Sequence, residues 1–298
     1  MSKFNKKKFI REFIYFLIRI SGLPFLVRAF IQRNTVTILT FHNIRYQTAH
    51  LLFHFIKRKY NPVSLKFYIQ CLLGKKPELL PPRALIVTLD DGYKENFHLL
   101  ELMKNTGIIP TVFLCSDMPD TNNDYWFRSL WNRKLVNNLK KINNSERLKL
   151  LVDFMTGSSP QLKDRIVLNR EEIVEMIPYT DFQSHTRSHP VLTRCTDSEV
   201  VDEISGSRSV LMEKYGLDIY ALAYPNGSFG EREMKMLKEQ GYACGLGLNY
   251  GHNNVHTNPY ALSRIPLNDN AGINEIVVKS AGIYDFFVKQ LLHFKQYD

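Results

Sequence analysis

Short apolar runs alternate with longer amphipathic ones along most of this chain. Runs of four to six residues, rich in β-branched and apolar side chains, occupy 36–41, 84–89, 110–114, 181–184, 219–224, 243–247 and 262–265. Their length and flanking turn residues predict strands. Between them, helical spacing of apolar positions marks 65–73, 93–105, 172–177, 198–215 and 231–240. Strands alternating with helices imply parallel βαβ units. Seven such strands predict an α/β fold, an irregular seven-stranded (β/α) barrel over residues 35–298, rather than an open sheet. Residues 116–170 break the pattern, being polar and carrying the aromatic triplet Tyr125-Trp126-Phe127. They read as an insertion on the loop face of the barrel, where such segments build clefts. Tyr125 and Trp126 suit either stacking on sugar rings or a small core within the insertion.

The first 34 residues follow a different rule. In 9–20, FIREFIYFLIRI, residues Arg11, Tyr15 and Arg19 form one polar stripe, and Phe9, Phe13, Phe16, Leu17 and Ile20 cover the other side. This predicts an amphipathic helix that ends at Gly22 and Pro24, with a second short basic helix over 25–33.

Charge sharpens that picture. The chain of 298 residues carries a net charge of +10, and residues 1–34, with eight Lys/Arg and one Glu, account for +7 of it. The body is therefore only mildly basic. A nucleic-acid-binding domain carries its charge on the fold, interleaved with aromatic groups, so no nucleic-acid partner is expected, and no obligate protein partner is evident. The longest apolar run without a charge, 13–18, is too short to span a bilayer. Arg19 interrupts the core of any signal peptide, and no small-residue cleavage site follows. An interfacial helix over anionic headgroups fits residues 1–34; packing on the barrel is the other reading. The expected location is a peripheral one on the cytoplasmic face, or, if exported, one held by an uncleaved anchor. Cys71, Cys115, Cys195 and Cys244 form no C-x-x-C pair and read as buried, reduced thiols.

Chemistry collects just after the strands. The run 36–41 leads into His42, 84–89 into Asp90-Asp91-Gly92, 181–184 into His185-Thr-Arg-Ser-His189, and 219–224 into Pro225-Asn226-Gly227. Active sites of parallel (β/α) barrels form at these carboxyl ends. Two adjacent carboxylates repel unless a cation neutralises one of them, so Asp90-Asp91 asks for a metal. The spacing of His185 and His189 suits two imidazole ligands on one side of a helical turn. His50/His54 and His252/His256 share that spacing but follow no barrel-like strand; they read as solvated groups, with 252/256 a minor candidate for the cleft.

The segments TLDDGY (88–93), SHTRSHPVLT (184–193) and AYPNGSFG (223–230) resemble, in order, the first three motifs of the polysaccharide deacetylases, carbohydrate esterase family 4. The resemblance spans about 36–267 and implies a (β/α) barrel that hydrolyses N-acetyl amides on an amino-sugar glycan. By resemblance Asp90 is the general base, Asp91, His185 and His189 bind a metal, usually Zn²⁺, and the turn at Tyr224-Pro225-Asn226 offers an N–H to the oxyanion. The chain departs from the commonest pattern. Ala223 stands where many members have an arginine, and the late leucine-x-histidine is matched only by Leu291-Leu292-His293. ILTFHNI (38–44) instead resembles the surroundings of the acid histidine in the permuted branch that deacetylates poly-N-acetylglucosamine, which makes His42 the expected acid. Arg264, in LSRIPL, is the candidate to replace the missing arginine. Rival expectations are a deformylase or deacetylase of one lipid-linked sugar, and a glycan-binding pseudoenzyme.

Overall fold

The structure is a computed structural model and describes residues 6–130, 132–155 and 164–284. The match at Leu291-Leu292-His293 lies outside the described residues.

The chain opens with α1 (Lys6–Ile20) and α2 (Leu23–Leu26), and an irregular helical turn then delivers it to β1 (Val36–Phe41). Helix α3 (Tyr46–Lys59), the two-residue β2 (Asn61–Pro62) and α4 (Leu65–Leu73) precede β3 (Ala84–Leu89). A 3₁₀ stretch, Lys94–Leu99, opens the next helical segment, so the expected helix at 93–105 becomes α-helical only in α5 (Leu100–Thr106). Strand β4 (Thr111–Leu114) leads into the insertion, which holds α6 (Trp126–Ser129), α7 (Arg133–Leu139) and α8 (Asn144–Met155). The body resumes with α9 (Arg170–Met176), β5 (Asp181–Ser184), α10 (Asp197–Val201), α11 (Ser207–Tyr215) and β6 (Ala221–Ala223). It ends with α12 (Glu231–Glu239), β7 (Cys244–Leu246), β8 (Ile265–Pro266) and α13 (Ile273–Ser280).

The sheet runs β7-β6-β5-β4-β3-β1-β8, with β2 attached to β3, and every pairing between these strands is parallel. The expected strand at 262–265 is split in function. Leu262 bridges Leu246 of β7 in parallel, and Arg264 N–H donates to the Asn249 carbonyl at 3.1 Å. Residues 265 and 266 then pair with β1. One segment, 262–266, too short to form a full ladder with either neighbour, thus closes the curled sheet.

Strand alternation sorts the side chains. Val36, Ile38, Ala84, Ile86, Phe113, Ala221, Ala223 and Leu246 share one buried cluster with Leu65, Tyr68, Ile69 and Leu72 of α4. Leu39, Phe41, Leu85, Val87, Leu89, Val112, Leu114 and Leu222 face the helices in another. On the inner face the cluster gives way, towards the carboxyl ends, to Thr40, Thr88 and Asp90, all fully buried. This switch from apolar to polar lining places the chemistry at that end.

Helix α1 forms where its periodicity predicts, but with an unexpected orientation. Tyr15 of its polar stripe packs with Ile14 and Ile18 against α13, and Phe9, Phe13, Phe16, Leu17 and Ile20 face solvent. His252, expected to be solvated or in the cleft, is instead partly buried. Its Nδ1 meets Thr37 Oγ1 at 3.2 Å, near the start of β1 and so away from the carboxyl-end residues.

Candidate active site

Asp90 leaves β3 as a strand residue, its N–H donating to the Phe41 carbonyl at 2.9 Å. Asp91 follows with φ 68° and Gly92 with φ 62°. This left-handed pair turns the chain so that both carboxylates reach one end of the barrel. Gly92 is required there, because a Cβ would also stand 2.3 Å from Leu114 Cδ2.

The two aspartates differ in what neutralises them. Arg264 is fully buried inside the barrel. Its guanidinium donates to Asp90 Oδ1 at 2.7 Å, to Thr40 Oγ1 at 3.2 Å and, through Nε, to the Gly247 carbonyl at 2.9 Å. Burial alone would raise the Asp90 pKa; Arg264, aided by the nearby histidines His185 and His42, outweighs it and holds the group at about 2. Asp91 has no such partner. Burial lifts its carboxyl above the ordinary value, with Asp90 adding to the rise against the histidines. Its Oδ1 is buried and makes no hydrogen bond.

That orphaned oxygen faces two imidazoles. His185 Nε2 and His189 Nε2 each lie 3.6 Å from Asp91 Oδ1, and the three donor atoms lie within 4.8 Å of one another. Donors bound to one tetrahedral zinc stand about 3.3 Å apart, given bonds of about 2.0–2.2 Å. The donor set, one carboxylate oxygen and two imidazole nitrogens, suits a divalent transition metal once the three draw together by a few tenths of an ångström to about an ångström. His185 Nδ1 donates to the Ala223 carbonyl at 2.7 Å. A carbonyl can only accept, so this bond sets the tautomer and leaves Nε2 with its lone pair toward the centre. Burial, with the His185 charge second, pushes His189 well below the usual imidazole range, which favours the neutral form a metal needs.

The 185–189 segment is a turn, not the helical turn that its spacing suggested. Thr186 and His189 both have positive φ, and the Glu203 carboxylate accepts the N–H groups of Arg187 and Ser188 at 2.8 and 3.0 Å. The fold thus reaches with left-handed residues what a helix would reach with i and i+4.

The insertion supports this centre. Tyr125 is buried, and its hydroxyl donates to the Asp91 carbonyl at 2.6 Å. Trp126 Nε1 donates to the His189 carbonyl at 3.0 Å, and the Phe127 ring lies 4.6 Å from the His189 ring. Arg147 lies 4.5 Å from the Trp126 ring centre, so one indole face is already covered. The aromatic triplet was conspicuous in the sequence; its bonds to the backbone of two candidate ligands were not.

The remaining expected residues separate. His42 is exposed at the end of β1, its N–H donating to Asp269 Oδ1 at 3.0 Å; no local signal singled out Asp269. Asn226 is exposed with φ 60°, in the turn Pro225–Gly227. Its Oδ1 accepts from Lys140 of the insertion at 2.7 Å. Tyr224, expected at the oxyanion turn, is a core residue. It stacks on Phe229 at 4.6 Å, and its hydroxyl donates to the Tyr260 carbonyl. Alternation along β6 turns Ala223 inward and Tyr224 outward to the helices.

A family model for polysaccharide deacetylase matches residues 79–245. No curated protein matches the chain. Among solved structures, the Streptococcus pyogenes deacetylase PplD in complex with acetate superposes with a TM-score of 0.61 at 17% identity, covering 83% of this chain and 98% of that one. IcaB from Ammonifex degensii gives 0.58 at 15% identity, covering 85% and 98%. The de-N-acetylase from Aggregatibacter actinomycetemcomitans gives 0.57 at 15%, covering 81% and 98%. Identities this low show a shared fold, whereas the family model spans more than half of the chain together with the aspartate pair, the histidine turn and the Pro-Asn-Gly turn; the chain belongs to the polysaccharide deacetylase family.

Proposed function

We propose that this protein is a divalent-metal-dependent deacetylase of an N-acetylated amino-sugar glycan, either a polysaccharide or a lipid-linked saccharide, acting at a membrane surface. The observation that carries the chemistry is the unlike pair of aspartates, one held ionised by Arg264 and the other open toward His185 and His189.

Asp91, His185 and His189 would hold the metal. When bound, it supplies positive charge at the acetamide oxygen and acidity to a water beside it. Asp90 accepts the proton of that water as its oxygen attacks the carbonyl carbon. Arg264 keeps Asp90 ionised, and so able to act as base, at every ordinary pH. The Asn226 backbone N–H donates to the oxygen that becomes negative. The C–N bond then breaks. His42, at the rim, gives a proton to the departing nitrogen, leaving acetate and a free amino sugar. Asp269 positions His42 through its backbone N–H.

The test is acetate release from N-acetylglucosamine oligomers, with and without chelation and zinc restoration. Asp90→Asn is expected to lose at least a hundredfold in rate while still binding zinc, and His185→Ala to lose both. Full activity in Asp90→Asn would refute the assignment. The exposed apolar side of α1 and α2 favours a second substrate, a single lipid-linked sugar losing an acetyl or formyl group. A membrane-lipid extract assayed for acetate and formate distinguishes it.

A further inference from the structure

The N-terminal helices dock on the barrel through Tyr15, Ile14, Ile18, Leu23 and Val27 and leave a second apolar face in solvent. A helix with one polar and one apolar side ordinarily turns the apolar side to the core. In α1 Tyr15, from the polar stripe, is 1% exposed and packs with Val278, Ala281 and Tyr284. Arg19 of the same stripe donates to Asn274 at 2.9 Å. Phe13, Phe16, Leu17 and Ile20, on the other side, are 51%, 43%, 45% and 61% exposed. In the following turns Leu23 and Val27 pack inward, and a second set of apolar residues is again left outside. Arg28 is buried, with its guanidinium 5.7 Å from the Phe55 ring, while Phe25, Leu26, Phe30 and Ile31 are 65%, 49%, 78% and 58% exposed. Scattered exposed apolar residues need no explanation, but a contiguous face of this kind marks a docking surface.

We infer that the outward face of α1, α2 and the turn after it is a monotopic anchor that lies in the headgroup region of an anionic bilayer. Charge identifies the occupant. Lys8 and Arg33, near the two ends of the face, are exposed, and the sequence adds Lys3, Lys6 and Lys7. Glu12 is the only acid among residues 1–34, and it is half-buried on the α13 side, near Glu275. Cations bordering exposed aromatic side chains match anionic headgroups above an acyl boundary. A second copy would bring the same excess of positive charge against itself. Among the described residues no single helix is long and apolar enough to span a bilayer; the segments 8–20 and 23–34 reach that length and apolarity only as a pair bent by 59°, and the buried Arg28 and the contacts to α13 on their inner side suit a pair lying on the surface. The anchored flank carries α13, and the loop before α13 holds Asp269 and through it His42.

The inference rests on the membrane-surface part of the function proposed above and not on its chemistry. The test uses full-length protein and two sets of vesicles, phosphatidylcholine alone and phosphatidylcholine with phosphatidylglycerol. Sedimentation is expected with the anionic vesicles and is weakened in high salt. The triple variant Phe13→Ser, Phe25→Ser, Phe30→Ser removes three side chains that are more than half exposed, so the fold is kept, as circular dichroism would verify. Its partition into anionic vesicles is expected to fall at least tenfold, with unchanged acetate release from soluble oligomers. Absence of sedimentation by the unaltered protein, or sedimentation of the triple variant equal to it, overturns the inference. Conversion of a dimer to a monomer by the same variant, without vesicle binding, also overturns it and assigns the face to a second copy. Activity on soluble oligomers separates a failed anchor from failed chemistry.

Discussion

Arg264→Met is the most informative single change, because it keeps much of the aliphatic stem inside the barrel and removes the charge that holds Asp90. Both partners are almost wholly buried, at 0% and 3% side-chain exposure. Removing one member of a buried pair leaves an uncompensated charge, and that costs about 3–5 kcal/mol. Part of the cost is relieved by protonating Asp90. Asp91 shows the direction: in the same barrel mouth, without an arginine, burial carries its carboxyl above the ordinary value. The sign then follows from linkage. Asp90 at about 2 in the folded chain lies below its unfolded value of about 3.9. Its stabilisation is complete at neutral pH and is lost as pH falls from about 5 toward 2. In the variant the folded pKa lies above the unfolded one, so ionised Asp90 opposes folding at neutral pH and ceases to do so in acid. The stability gap between the two proteins is expected to be about 3–5 kcal/mol at pH 7 and to shrink toward pH 3. Urea unfolding of chelated protein at several pH values measures it, without ligation at Asp91 masking the effect. On the zinc-loaded enzyme the acid limb of kcat/KM should move to higher pH. A gap below about 1 kcal/mol, the size of an exposed pair, or one constant from pH 3 to 7, would refute the electrostatic coupling.

Two further changes test how the centre is built. Tyr125→Phe removes the hydroxyl that donates to the Asp91 carbonyl; zinc affinity, by competition with a chromophoric chelator, should fall about tenfold, with little loss of thermal stability. Gly227→Ala puts a Cβ 2.8 Å from the Leu248 nitrogen at φ +67° and should cost about 3 kcal/mol. Gly107→Ala, at φ +68° with open space around it, should cost about 1 kcal/mol. Equal unfolding midpoints would contradict the close approach at Leu248.

What the sequence made legible was local. The candidate residues come directly after strands, so 36–41, 84–89 and 181–184 could be read together with His42, Asp90, Asp91 and His185. What it concealed depended on register or on distant partners. Tyr224 looked like part of an oxyanion turn because it adjoins Pro225, yet the side that each β6 residue faces is decided by pairing with β5 and β7. The spacing of His185 and His189 fits a helix equally well, since positive φ at Thr186 and His189 has no glycine to announce it. Glu203 holds that turn from α10's continuation, and Asp269 holds His42 across 227 residues of chain; neither sits in a motif. For α1 the periodicity was correct, but periodicity cannot say which side meets the barrel.

The difference between Asp90 and Asp91 depends on a partner from outside the matched region, Arg264 at Asp90, whereas the two histidines that face Asp91 lie within it. Residues 79–245 contain the aspartates and both histidines but neither His42 nor Arg264. Arg264 enters the barrel on the segment that joins β7 to β8, where closure of the sheet brings it under Asp90. Ala223 leaves the inner face of β6 without a charge, and the guanidinium beside Asp90 comes instead from the residue just before β8. A carboxylate paired with a cation and one left without a hydrogen bond at Oδ1 cannot be told apart in the tripeptide Asp-Asp-Gly. They become distinct only once the barrel closes, because closure gives Asp90 a permanent cation at 2.7 Å and leaves Asp91 Oδ1 facing two imidazoles.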